Sequence, residues 1–185
     1  MAAGVSAKGV FMPPSDLLHQ GRVFALMRDC VLLPTGAEAV FEVIRHPGAA
    51  AILPVTEEGE ILLLKQFRHA AGGEIWEIPA GTLSPGESPL ECARRELIEE
   101  TGFSAASFEP LFSIVPVPGY SDEVIHLFLA TRLSPAAQNL DPDEVLSVHR
   151  IPAAQVLDMA HRGEIRDAKT LSALFLAGPR LGASP

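Results

Sequence analysis

Three carboxylates define the chemistry open to this chain. Glu96, Glu99 and Glu100 stand at i, i+3 and i+4, so a helix gathers them on one face. Like charges so placed repel by roughly 0.2–0.5 kcal/mol per pair. A hard divalent cation such as Mg²⁺ is the simplest candidate to offset that repulsion. It prefers oxygen ligands and takes a few carboxylates together with waters and phosphate oxygens. On its own an E-x-x-E-E run is ordinarily a solvated helix face, so the reading turns on what surrounds it.

The surroundings specify a helix with defined ends. Ser88 is a good N-cap, Pro89 fits the first helical position, and Glu91 completes a Ser-x-x-Glu capping box. Leu90, Ala93 and Leu97 recur at helical spacing and predict an apolar stripe facing a core. Gly102 falls where a glycine ends a helix. The preceding loop, Gly81 to Gly86, has a glycine at each end to free the backbone.

The whole segment, GTLSPGESPLECARRELIEETGF from Gly81 to Phe103, resembles the Nudix box. Gly81, Glu87, Arg95-Glu96-Leu97, Glu99-Glu100 and Gly102-Phe103 occupy its defined positions. That resemblance implies an α/β/α sandwich in which the box is a loop-helix-loop holding Mg²⁺ or Mn²⁺, two to three ions per site. It also implies hydrolysis of a nucleoside diphosphate linked to a second group. Glu96, Glu100 and the carbonyl of Ala80 are then the expected metal ligands, with Glu99 joining directly or through water. Arg95 is expected to hold a box glutamate in place, with Glu87 as its partner.

Composition sets the outer limits. The 185 residues suit one domain with a sizeable core. The net charge of −9 argues against a nucleic-acid-binding surface, although bound metal would still reverse the local field for a nucleotide. Cys30 and Cys92 give no disulfide framework, and both lie in apolar patterns that predict buried thiols. No apolar run reaches the length of a membrane span. No signal-peptide pattern opens the chain, so a cytoplasmic enzyme is the expectation.

The elements that must position the acids are legible in turn. Met1 to Gly21 reads as a peripheral arm. Arg22–Leu33 and Glu38–Arg45, joined by the Pro34-Thr35-Gly36 turn signal, read as a β-hairpin. Both of its faces carry apolar residues, which predicts pairing with a second copy of the chain. Strands are expected at 50–55, 61–68, 74–79, 108–115, 124–132 and 145–151. Helices are expected from Pro152 to Arg162 and from Ala168 to Ala177, the latter capped by Asp167. The class is therefore α+β with a mixed sheet. The expected division is 1–46 for arm and hairpin and 47–185 for the hydrolase domain.

The box leaves the substrate open, and the segments around it narrow the choice. Pro118 falls sixteen residues after Gly102, and Pro118-Gly119-Tyr120-Ser121-Asp122-Glu123 resembles the corresponding loop of ADP-ribose pyrophosphatases. Gln66-Phe67-Arg68, Glu74-Ile75-Trp76-Glu77-Ile78-Pro79-Ala80-Gly81 and Arg45-His46-Pro47-Gly48-Ala49 are similar to the same subfamily. The resemblance implies a homodimer whose hairpin is shared across the two-fold axis. It also implies Arg68 at the diphosphate or adenine, Glu74 and Trp76 at the adenine end, and Arg45 reaching the partner's site. Glu123 is the implied general base, and Glu99 is the alternative, as in relatives that use a box glutamate. His126 alternates into a strand and reads as structural. GDP-mannose, other ADP-sugars and NADH remain alternative substrates, and an ADP-ribose sensor that does not cut remains a further reading.

Overall fold

A computed structural model describes residues 15–181. The strands are β1 (Asp16–Gln20), β2 (Ala25–Leu32), β3 (Glu38–Arg45), β4 (Ala49–Pro54), β5 (Glu60–Arg68), β6 (Gly73–Glu77), β7 (Ala80–Thr82), β8 (Phe103–Ile114), β9 (Ile125–Pro135) and β10 (Leu146–Pro152). The helices are α1 (Pro89–Thr101), α2 (Ala153–His161) and α3 (Ala168–Ala177). The chain forms two compact units, residues 48–116 with 124–181 and residues 15–47 with 117–123.

In the larger unit, β4 is buried along its whole length. It runs parallel to β9 and antiparallel to β7, and β8 adds antiparallel to β9, giving the order β7-β4-β9-β8. Period-two alternation sends successive β4 side chains to opposite faces. Ala50 and Ile52 pack on one side with Cys92, Ala93 and Leu97 of α1. Ala49, Ala51 and Leu53 pack on the other with Val156 of α2 and Ala173 and Leu174 of α3. A mixed sheet covered by helices on both faces is the α/β/α sandwich. A second, antiparallel sheet has the order β10-β5-β6. The smaller unit is the antiparallel sheet β1-β2-β3 with the 117–123 loop, which forms a parallel bridge from Ser121 to Ile44.

Several expectations need correction. Residues 16–20 form a strand rather than an unpatterned arm, because their backbone groups pair with β2; residues 1–14 lie outside the described residues. The expected hairpin is thus two strands of a three-stranded sheet. Cys30 is exposed, not buried, since it lies on a strand with both faces partly open. Leu90 sits at the helix rim, 36% exposed, and Cys92 takes its place among the buried residues of the stripe. β8 starts at Phe103, five residues earlier than its Val/Phe/Ile pattern suggests, because the chain turns from α1 at Gly102 straight into pairing with Pro135. No helix among the described residues is long and apolar enough to cross a membrane.

Candidate active site

Helix α1 begins as its sequence dictates. The Ser88 hydroxyl accepts from the Glu91 N–H, and the Glu91 carboxylate accepts from the Ser88 N–H at 2.9 Å. It ends at Gly102, whose φ of 71° is left-handed and whose N–H bonds the Ile98 carbonyl at 2.9 Å. The last carbonyls of the helix are satisfied by the loop after β9. Ala136 N–H donates to the Gly102 carbonyl at 2.8 Å, Asn139 N–H to Glu99 at 3.0 Å and Gln138 Nε2 to Glu100 at 2.6 Å.

With its ends fixed, the helix turns two of its acids inward. Glu100 is only 2% exposed, and Glu96 is buried beside it. A Glu100 oxygen accepts from the Ala80 N–H at 2.8 Å. Glu96 lies against Gly81 so closely that a Cβ there would stand 1.8 Å from its Oε1. Gly81 is thus required by close approach and not by a left-handed backbone. The run into the loop is pinned from two more sides: Ile52 N–H donates to the Pro79 carbonyl at 2.9 Å, and Ile78 N–H donates to the Thr170 hydroxyl at 2.9 Å.

Arg95 ties the acids to the loop. Its Nε and Nη2 form a fork on Glu87 at 2.8 and 2.9 Å, and its Nη1 donates to Glu96 at 2.5 Å and Glu99 at 2.9 Å. Nη2 also reaches the Thr82 carbonyl at 3.2 Å. Beneath it the buried Cys92 thiol donates to the Gly81 carbonyl at 3.4 Å.

The electrostatics follow from this packing. The Arg95 guanidinium holds the Glu87 carboxyl down at about 2. Burial pushes Glu100 up to about 8; the Ala80 N–H opposes this, as does the charge of Arg68, while Glu96 and Glu144 push further up. Glu96 is likewise raised by burial, against the pull of Arg95 and with Glu99 and Glu144 adding to the rise. Burial also pushes the Cys92 thiol up to about 12, which makes it inert packing rather than a nucleophile.

This donor set suits a hard divalent cation. It consists of oxygens, and its two inner carboxylates are buried where a cation would offset the cost of charging them. Among the described residues no three acids, histidines or cysteines converge on a ready-made ligand geometry. Arg95 stands between Glu96 and Glu99 instead.

The other expected site residues divide between the two units. In the larger unit, Arg68 pairs with buried Glu77 through Nη2 at 2.8 Å. Trp76 is half-buried, with its ring edge-on to His149 at 4.9 Å and Lys65 Nζ 5.4 Å above it. Glu74 is exposed, 3.8 Å from Lys65. His126 lies on β9 with its Nδ1 bonded to the Ser113 hydroxyl at 2.8 Å. In the smaller unit, Arg45 bridges buried Asp29 at 2.5 Å and Asp122 at 3.1 Å. Pro118 is exposed at the loop tip, and Glu123 lies 3.6 Å from His46 Nδ1.

Sequence reasoning missed Glu144, the acid outside α1 whose charge acts on both Glu96 and Glu100. It also missed Lys169, 3.2 Å from Glu77. Neither carries a local signal. Both come to the site through tertiary packing.

Comparison with known proteins agrees with this architecture. The family model for the NUDIX domain matches residues 45–174. An ADP-ribose pyrophosphatase of Bacillus subtilis (strain 168) is 40% identical over 161 residues, covering 86% of this chain and 87% of that protein. A methanol dehydrogenase activator of Bacillus methanolicus is 39% identical over 162 residues, covering 86% of this chain and 88% of its own. A crystal structure of an ADP compounds hydrolase superposes with a TM-score of 0.79 at 26% identity, covering 91% of this chain and 92% of that one. With the box helix, its capped ends and the sandwich around it all in place, the chain belongs to the NUDIX domain family.

Proposed function

We propose that this protein hydrolyses the diphosphate bond of ADP-ribose, giving AMP and ribose 5-phosphate. The observation that carries the reading is the pair Glu96 and Glu100, turned inward onto the Ala80–Gly81 strand, in a chain so similar to an ADP-ribose pyrophosphatase. Glu96, Glu100 and the Ala80 carbonyl, with Glu99 directly or through water, would hold two to three Mg²⁺ or Mn²⁺ ions. Bound there, divalent ions neutralise diphosphate charge and lower the pKa of water.

The chain's own residues do the rest. Arg95 fixes Glu96 relative to the loop through the Glu87 fork, a positioning role. Arg68 offers its guanidinium to the diphosphate. Glu74 and Trp76 line the adenine end, Arg45 reaches the site of the partner in a homodimer, and Pro118 is a further substrate contact. The exposed apolar side chains of the smaller unit, among them Val40 at 61% and Phe41 at 45%, support that dimer.

The base is Glu123 or Glu99 on the sequence resemblance. Glu144 joins them because its charge acts on both inner acids. Separate Gln variants at the three positions identify it as the one whose loss lowers kcat by about 10²–10⁴-fold.

The function itself is tested by a product-release panel across ADP-ribose, GDP-mannose and NADH, each with Mg²⁺ and with Mn²⁺. The highest kcat/KM is expected for ADP-ribose. A preference for another member would replace the substrate, and ADP-ribose binding without turnover would make the protein a sensor. A cytoplasmic location belongs to the same proposal. Light scattering that shows a monomer at micromolar concentration would remove the dimer from it.

A further inference from the structure

Away from the box, buried charge is concentrated at the start of α3. Glu77 is 4% exposed, yet its carboxylate serves two cations. Oε2 accepts from Arg68 Nε at 2.9 Å and Nη2 at 2.8 Å. Oε1 faces Lys169 Nζ at 3.2 Å. Lys169 is itself buried, and its ammonium also lies 3.1 Å from Asp167 Oδ1. The other Asp167 oxygen caps α3 by accepting from the Thr170 N–H at 2.9 Å and hydroxyl at 2.6 Å. That hydroxyl accepts from the Ile78 N–H. One turn of α3 therefore grips two consecutive residues, Glu77 and Ile78, just ahead of the Ala80–Gly81 strand.

Stability is a poor reason for a buried ammonium. Desolvation offsets most of the gain from such a pair, and well-packed apolar replacements are often neutral or better. Geometry is a better one. With Oε1 engaged by Lys169, only Oε2 is left for Arg68, and Nη1 stays out of the pair. Without Lys169 the Glu77 carboxylate is free to turn and take the guanidinium in a two-oxygen fork, the preferred arrangement for arginine and carboxylate. That turn would draw the guanidinium inward.

We propose that Lys169 is a positioning residue for substrate binding: by holding one oxygen of Glu77, it keeps the Arg68 guanidinium turned toward the diphosphate. This rests on the reading of Arg68 as a diphosphate contact.

The test is steady-state hydrolysis of ADP-ribose by Lys169→Met, Arg68→Met and the double variant, with Mn²⁺ binding measured alongside. Lys169→Met is expected to raise KM about tenfold, within the range that small misplacements of a binding group produce. Its kcat should change less than about threefold, and Mn²⁺ affinity should not change. The double variant should be no worse than Arg68→Met alone, because both changes remove the same contact. Lys169→Arg, which keeps the charge, should recover part of the KM. If Lys169→Met does not fold, Lys169→Gln replaces it, with the same expected direction.

A wild-type KM in Lys169→Met would overturn the proposal, as would fully additive effects in the double variant. Unchanged KM in Arg68→Met would remove the arginine reading beneath it. Absence of ADP-ribose turnover by the wild-type protein would instead sink the proposed function.

Discussion

Replacing Gly81 by alanine should disable the site while leaving the fold in place. Gly81 does not have a left-handed backbone, so alanine meets no conformational penalty there. What it meets is the Glu96 carboxylate, with Cβ 1.8 Å from Oε1 and 1.9 Å from Cδ. Ordinary contact begins near 3.4 Å, so Oε1 must retreat by about 1.6 Å, the difference between 3.4 and 1.8. The retreating group is the tip of a flexible side chain, so the stability cost belongs at the low end of overpacking, about 1 kcal/mol. The functional cost is much larger. A displacement of about 1 Å in a reacting geometry can cost about 10²-fold, and Glu96 is one of the proposed metal ligands. The expected result is a circular dichroism spectrum like the wild type, a modest fall in Tm, weaker Mn²⁺ binding by calorimetry and a kcat/KM for ADP-ribose lower by about 10²-fold. Mn²⁺ affinity and kcat/KM both within threefold of wild type would refute the claim that the glycine exists to admit the glutamate.

Other outcomes follow from the same geometry. Glu100 is held up to about 8 by burial, so the metal-free folded chain binds its proton more tightly than the unfolded chain does. Thermal stability without metal should therefore fall as pH rises from about 4.5 through 8, and Mn²⁺ should raise Tm more at pH 8 than at pH 5; Glu100→Gln should flatten both trends. Glu87, held down at about 2 by Arg95, works in the opposite sense. Its contribution is present above about 4.5 and lost as pH falls toward 2, so the Tm deficit of Arg95→Met should shrink over that window. Thr170→Val leaves the buried Ile78 N–H without its acceptor and should cost about 1–3 kcal/mol in urea denaturation. Asp122→Ala frees the loop bonds to Arg45 and the His46 N–H, and should speed proteolysis between residues 117 and 123.

How much of this could be read from the chain depended on the range of the interaction. The capping box at Ser88 and Glu91, the stop at Gly102 and the Asp167 cap are written within three or four residues, and the folded helices begin and end where those signals stand. The Arg95–Glu87 pair was expected from the box resemblance, and the structure forms it across one loop and helix. Leu90 misled because helical spacing says which residues share a stripe and not where the stripe's edge falls. Cys30 misled because an apolar neighbourhood on an open sheet does not guarantee burial. Lys169 stands ninety-two positions from Glu77, and Glu144 more than forty from the acids it influences. No local pattern can announce such pairings, because they exist only once β10 and α3 have packed.

The chain from Ala136 to Asn139 closes the C-terminal end of α1 with three donors, two of them main-chain N–H groups. Main-chain donors are indifferent to the side chain they belong to, but not to spacing along the backbone. Evolution and engineering alike should find this stretch permissive toward residue identity, Gln138 and any proline at 136 or 139 apart, and intolerant of any gain or loss in length. A one-residue insertion there would shift every donor past its carbonyl and fray the helix from the end nearest Glu99 and Glu100.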